Sequence, residues 1–142
     1  MSLVKAKKHL GQHFLTDKNI AEKIVNSLQA SSQYNQVLEV GPGMGILSDF
    51  LLGKKDLETY LIDIDTESYE FLKKKYPDLG ARLINGDFLE LDFATVFPGK
   101  FGIIGNFPYN ISSQILFKVL DNRNQVVELV GMFQKEVAQR CA

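Results

Sequence analysis

The 142-residue sequence has only one cysteine, Cys141, and two histidines, His9 and His13. A lone thiol excludes a disulfide framework and a cysteine-rich zinc site, and it fits a reducing compartment. His9 and His13 stand four apart and can share a helix face, but no third ligand accompanies them, so no metal site is expected. No apolar run approaches the ~18 residues of a membrane span, and the amino terminus lacks the apolar stretch of ~7 to 15 residues found in signal peptides. The expectation is a soluble cytoplasmic protein. Its length suits one domain, which at this size buries about 68 to 70% of its unfolded surface and needs no covalent staples.

Charge is nearly balanced, with 16 basic against 17 acidic residues and a formal net charge of -1. The balance hides an asymmetry. Lys5, Lys7, Lys8, Lys18 and Lys23 face only Asp17 and Glu22 in the first 25 residues, so a basic arm precedes a mildly acidic body. Such an arm is either a solvated leader or a phosphate-contacting segment. Residues 1–30 are therefore set apart as arm and first helix, and 31–142 as the main domain.

Periodicity predicts alternating strands and helices. A helix is expected from Thr16 to about Ala30, capped by Thr16 or Asp17, with Ile20, Ile24, Val25 and Leu28 at helical spacing. Strands are expected over 37–40, 59–64, 81–85, 101–106 and 126–133, and further helices over 46–52, 67–76 and 112–120. Strands separated by helices predict an α/β fold, a doubly wound and mainly parallel sheet whose ligands lie beyond the carboxyl ends of the strands. Gly41, Asp63, Asp87 and Asn106 all fall at or just past predicted strand ends, so the fold would gather them at one crevice.

Each position has a chemical reading beside a structural one. Gly41, Gly43 and Gly45 alternate directly after the first strand, where a missing Cβ permits a tight turn and close approach of a ligand. The third glycine comes one position too early for the dinucleotide fingerprint, because Ile46 stands in its place. Asp63 follows Gly41 by 22 residues, close to the ~20-residue interval at which an acid accepts a ribose diol. Asp65 reads as a cap of the next helix. Asp87 is placed to accept an adenine amino group, with Phe88 packing on the ring; taken alone it is an ordinary turn aspartate. Together the three features specify an adenosine-containing ligand.

The segment Asn106-Phe107-Pro108-Tyr109 after the fourth strand, with the glycine spacing, selects S-adenosylmethionine over a nicotinamide cofactor. The amino nitrogen of an aromatic base is a poor nucleophile because its lone pair is delocalised into the ring. The Asn106 side-chain oxygen and the carbonyl at or near Pro108 would accept both amine hydrogens, and Tyr109 would hold the extruded base by stacking. As structure alone, the tetrapeptide is a proline turn with a packed tyrosine.

These pieces, GQHFLTD at 11–17, LEVGPGMGIL at 38–47, LIDID at 61–65, NGDFLELDF at 85–93, NFPYNIS at 106–112 and FQKEVAQR at 133–140, resemble the ribosomal RNA adenine N6,N6-dimethyltransferase family of the KsgA/RsmA type. The resemblance implies a Rossmann-like S-adenosylmethionine-dependent methyltransferase that dimethylates N6 of adenines in small-subunit ribosomal RNA. It implies that His13 and Leu15 close over the methionine end of the cofactor beside Gly41 and Gly43. It further implies that Asp63 binds the ribose and Asp87 the adenine amine, that Asn106 bridges cofactor and target, and that Pro108 and Tyr109 complete the target pocket. The sequence departs from the family pattern at His13, Asp63 and Phe107, where asparagine, glutamate and leucine are more frequent.

The family also continues through further strands and a helical RNA-gripping domain, so the chain is expected to be the amino-terminal part of such an enzyme. Its last strand is then an open edge that would favour self-association. Two alternatives stay open: a large-subunit adenine methyltransferase, and a non-catalytic ribosome-assembly or RNA-binding factor on the same fold.

Overall fold

The computed structural model describes residues 18–29, 34–107 and 109–133. Five strands form a single parallel sheet: β1 Gln36–Val40, β2 Glu58–Asp63, β3 Leu83–Asn85, β4 Phe101–Phe107 and β5 Val126–Phe133, in the spatial order β3-β2-β1-β4-β5. The helices are α1 Lys18–Asn26, α2 Ile46–Leu52, α3 Thr66–Lys75, α4 Phe93–Val96 and α5 Tyr109–Asp121, with 3₁₀ turns at Gly80–Arg82 and Phe88–Glu90. The order reverses direction at β1, so the crevice of a doubly wound sheet lies beyond the carboxyl ends of β1 and β4.

Strand alternation divides the core between the two faces of the sheet. Leu38, Ile62 and Ile103 point to one face, where Phe93, Phe97, Phe101 and Ile115 pack against them. Val37 and Ile104 point to the other and are covered by Ala21, Val25, Leu47 and Leu51 from α1 and α2. Leu61 and Leu83 meet Leu72 of α3 in a third cluster. The central strand β4 is buried along its whole length, as expected of a strand covered on both faces.

An aromatic chain runs through the first face. Tyr60 meets Phe97 edge-on at 4.9 Å, Phe97 stacks on Phe101 at 3.9 Å, and Phe101 meets Phe93 at 5.1 Å, which in turn contacts Phe88 at 5.5 Å. This chain supports the turn that follows β3 from below. Phe107 finds its place because its neighbours are small. A Cβ on Gly105 would stand 2.9 Å from the Phe107 ring and 2.7 Å from the Val40 carbonyl, so a bulkier side chain there would displace the ring or the strand.

The expected helix ending near Ala30 stops at Asn26, and its expected caps Thr16 and Asp17 lie outside the described residues. The last helix begins at Tyr109 rather than 112. Asp65 caps α3, its carboxylate accepting the Ser68 N–H at 3.0 Å. No helix among the described residues is long and apolar enough to cross a membrane.

Candidate functional site

Strand register puts the candidate residues level with one another. Val40 lies opposite both Ile62 and Gly105, and Asp63 lies opposite Asn85. One step further along, Gly41, Asp63 and Asn106 therefore share a rung at the carboxyl edge, with Asp87 two residues beyond Asn85. Adjacent strands are ~4.8 Å apart, so residues distant in sequence become immediate neighbours. Main-chain bonds fix this rim: Gly41 N donates to Ile62 O at 2.9 Å and Gly86 N to Asp63 O at 3.1 Å.

The turn 41–45 holds all three of its glycines at positive φ, at 67°, 59° and 87°. At Gly41 an added Cβ would meet nothing within 4 Å, so the turn fronts open space that only a glycine leaves clear. At Gly45 the reverse holds: a Cβ would come within 2.7 Å of the Tyr76 Oη. The rear of the turn is braced by the end of α3. Tyr76 donates to the Gly45 carbonyl at 3.1 Å and to the Asp49 carboxylate, and Lys75 Nζ donates to the Met44 carbonyl at 3.0 Å. Burial, then the bond to Asp49, raises the Tyr76 hydroxyl above its usual pKa and keeps it a donor.

Asp63 is 3% exposed. Its Oδ2 accepts the Gly43 N–H at 3.1 Å and its Oδ1 the Asp65 N–H at 2.9 Å. The carboxylate is therefore a fastener of the glycine turn. Asp87 caps the 3₁₀ turn, its Oδ1 accepting the Leu89 N–H at 3.0 Å. The reading of Asp87 as a turn aspartate holds. Phe88 departs from expectation: its ring is 5% exposed, buried in the core against Phe93. It packs beneath the turn and has no open face for an adenine.

Asn106 is 4% exposed at the end of β4. Tyr109 opens α5, while Pro108, His13 and Leu15 lie outside the described residues.

Two residues at the rim were not singled out from sequence. Ile64, beside Asp63, is a large aliphatic side chain that is 68% exposed. Its position directly after the diol-type acid was the available signal. Glu39 is 1% exposed beneath α2 and accepts a hydrogen bond from Ser48 Oγ at 2.5 Å. Burial, then the nearby Asp63 and Asp49 charges, pushes its pKa up to about 8, against the lowering effects of Ser48 and Lys75. A charged residue in an otherwise apolar strand was the signal for it.

The family model for ribosomal RNA adenine dimethylase matches residues 3–142. The chain belongs to that family. It is 59% identical, over all 142 residues, to the ribosomal RNA small subunit methyltransferase A of Cytophaga hutchinsonii, and covers 55% of that relative. It is 55% identical to the protein of the same name from Flavobacterium johnsoniae, with 99% of the chain and 53% of the relative covered. The chain thus spans about half the length of the curated relatives it matches. Among solved structures it resembles the 23S rRNA methyltransferase ErmE, with a TM-score of 0.72 and 25% identity over 87% of this chain and 48% of that one. It also resembles a dimethyladenosine transferase from Plasmodium falciparum, with a TM-score of 0.67 and 33% identity over 87% of this chain and 44% of that one. The Rossmann-like fold of this dimethylase chain is the one expected from its alternation of strands and helices.

Proposed function

We propose that this dimethylase-family chain is the cofactor-binding part of an S-adenosylmethionine-dependent enzyme that places two methyl groups on N6 of adenines in small-subunit ribosomal RNA. The observation that carries the reading is the shared rung of Gly41, Asp63 and Asn106 with Asp87 beside it. The residues fit the cofactor: a Cβ-free turn fronting open space, a carboxylate at the ribose position and a second carboxylate with an oxygen to offer an amine. Gly41, Gly43, Asp63 and Asp87 would hold it, with His13 and Leu15 from the arm. Bound there, S-adenosylmethionine supplies an electrophilic methyl group.

The protein's own task is then positioning. Asn106 would accept a hydrogen from the target amine and hold its lone pair towards the cofactor, while Pro108 and Tyr109 complete a pocket for the flipped base. A preorganised acceptor of this kind lowers the barrier without a strong base, because the nitrogen becomes acidic as it is alkylated and sheds its proton afterwards. The basic arm fits contact with RNA phosphates. The names of the most similar relatives support the small subunit as substrate, and the likeness to ErmE supports adenine in ribosomal RNA more generally.

The test is transfer of labelled methyl groups to purified ribosomal subunits that lack the modification, followed by nucleoside analysis. N6,N6-dimethyladenosine in the small subunit is expected. Label confined to the large subunit would support the large-subunit alternative, and cofactor binding without transfer would support an assembly factor.

A further inference from the structure

Lys118, in the last turn of α5, reaches across to the turn that follows β3. Its Nζ donates to the Leu89 carbonyl at 3.0 Å and to the Leu91 carbonyl at 2.6 Å. The same ammonium lies 5.6 Å from the centre of the Phe88 ring and 4.9 Å from that of Phe93. The two carbonyls lie within and just past the 3₁₀ turn Phe88–Glu90, at its C-terminal end, and the two rings lie beside them. The other end of this turn is capped by Asp87.

A turn of three residues has little stability of its own. Asp87 satisfies its N–H end and Lys118 its carbonyl end, so the direction in which the Asp87 carboxylate points depends on both anchors. A cation at the carbonyl end also complements the turn's dipole. The site is costly for a lysine: burial lowers its pKa, against the raising effects of Glu90, Asp87 and Asp92. No surface ion pair needs such an arrangement.

We propose that Lys118 is a positioning residue for cofactor specificity: by clamping the carbonyl end of the turn 88–90, it aims the Asp87 carboxylate at the 6-amino group of the bound purine. The inference rests on the proposed cofactor reading and adds to it a determinant of amino against oxo discrimination. Because α5 starts at Tyr109, the same lysine joins the segment on the target side to the one on the adenine side.

The experiment is calorimetric titration of the protein with S-adenosylhomocysteine and with its 6-oxo counterpart, S-inosylhomocysteine. A hydrogen bond to a charged acceptor contributes about 1.5 to 3 kcal/mol, so the wild type should prefer the amino form by about 10- to 100-fold. Lys118→Met keeps the aliphatic stem over the two rings and removes both donors, and the preference should fall to within about threefold on loss of that bond. Lys118→Arg should restore most of it. General loosening of the fold would weaken both ligands in the same ratio and leave the preference intact. A Lys118→Met protein that keeps the wild-type ratio overturns this inference alone. A wild type that binds neither ligand overturns the cofactor reading beneath it, and one that binds both equally removes Asp87 from amine recognition and this inference with it. Should the methionine variant not fold, Lys118→Leu, which also removes both hydrogen bonds, carries the same comparison.

Discussion

The Asp63 carboxylate accepts the main-chain N–H of Gly43 across 20 residues of sequence, at 3.1 Å. The acid at the end of β2 and the turn at the end of β1 are thus one unit, and a ligand that touches either feels both. Asp63→Ala should lower affinity for S-adenosylhomocysteine by about 10- to 100-fold, the scale of a hydrogen bond to a charged group. Asp63→Glu, which keeps the carboxylate on a longer side chain, should lose less. Affinity unchanged in the alanine variant would separate Asp63 from the cofactor.

Glu39 makes stability depend on pH. Its folded pKa, pushed up to about 8, lies above the ordinary carboxylate value of 4.5. Between those values the folded chain holds a proton that the unfolded chain has released, so stability falls as pH rises through the window and levels off above it. Glu39→Gln removes the titrating group and keeps an oxygen for Ser48. Relative to wild type it should gain stability at pH 8 over pH 5, by an amount on the order of a few kcal/mol. Urea melts at the two pH values check this, and parallel pH profiles for the two proteins would contradict it.

Gly45 has a positive φ of 87° and no room for a Cβ beside Tyr76. Gly45→Ala should destabilise the fold by more than ~1 kcal/mol, from the backbone conformation alone. Adding Tyr76→Phe should recover part of the loss by relieving the contact with the hydroxyl. Equal denaturation midpoints for wild type and Gly45→Ala would show that the turn is not held as described.

Asn106→Ala should reduce methyl transfer by on the order of 10²-fold or more, with cofactor affinity much less affected. Single-turnover rates at saturating cofactor measure it. Unchanged turnover removes Asn106 from the chemistry.

Much of this was legible from the amino-acid order. The strand 126–133 and the helix 46–52 fall at the expected residues, and Asp65 caps α3 as expected. The convergence of Gly41, Asp63 and Asn106 followed from placing each after a strand. The differences lie where tertiary contacts override local pattern. The third strand was expected from Ala81, but Gly80, at a φ of 58°, opens a 3₁₀ turn that delays pairing until Leu83. The 3₁₀ turn at Phe88 and the short helix at Phe93 were not read, because segments of three and four residues carry no period to detect. The burial of Phe88 depends on Phe93 and on Lys118, 30 residues away, a partner that no local window contains. The placement of Phe107 becomes intelligible only with Gly105 beside its ring.

The most direct test of the shared crevice is amide chemical-shift mapping during titration with S-adenosylhomocysteine. The account predicts saturable shifts at Gly41, Gly43, Asp63, Ile64, Asp87 and Asn106, all with one dissociation constant. Absence of binding, or shifts confined to the opposite end of the sheet around Gln36, Glu58 and Phe101, would contradict it.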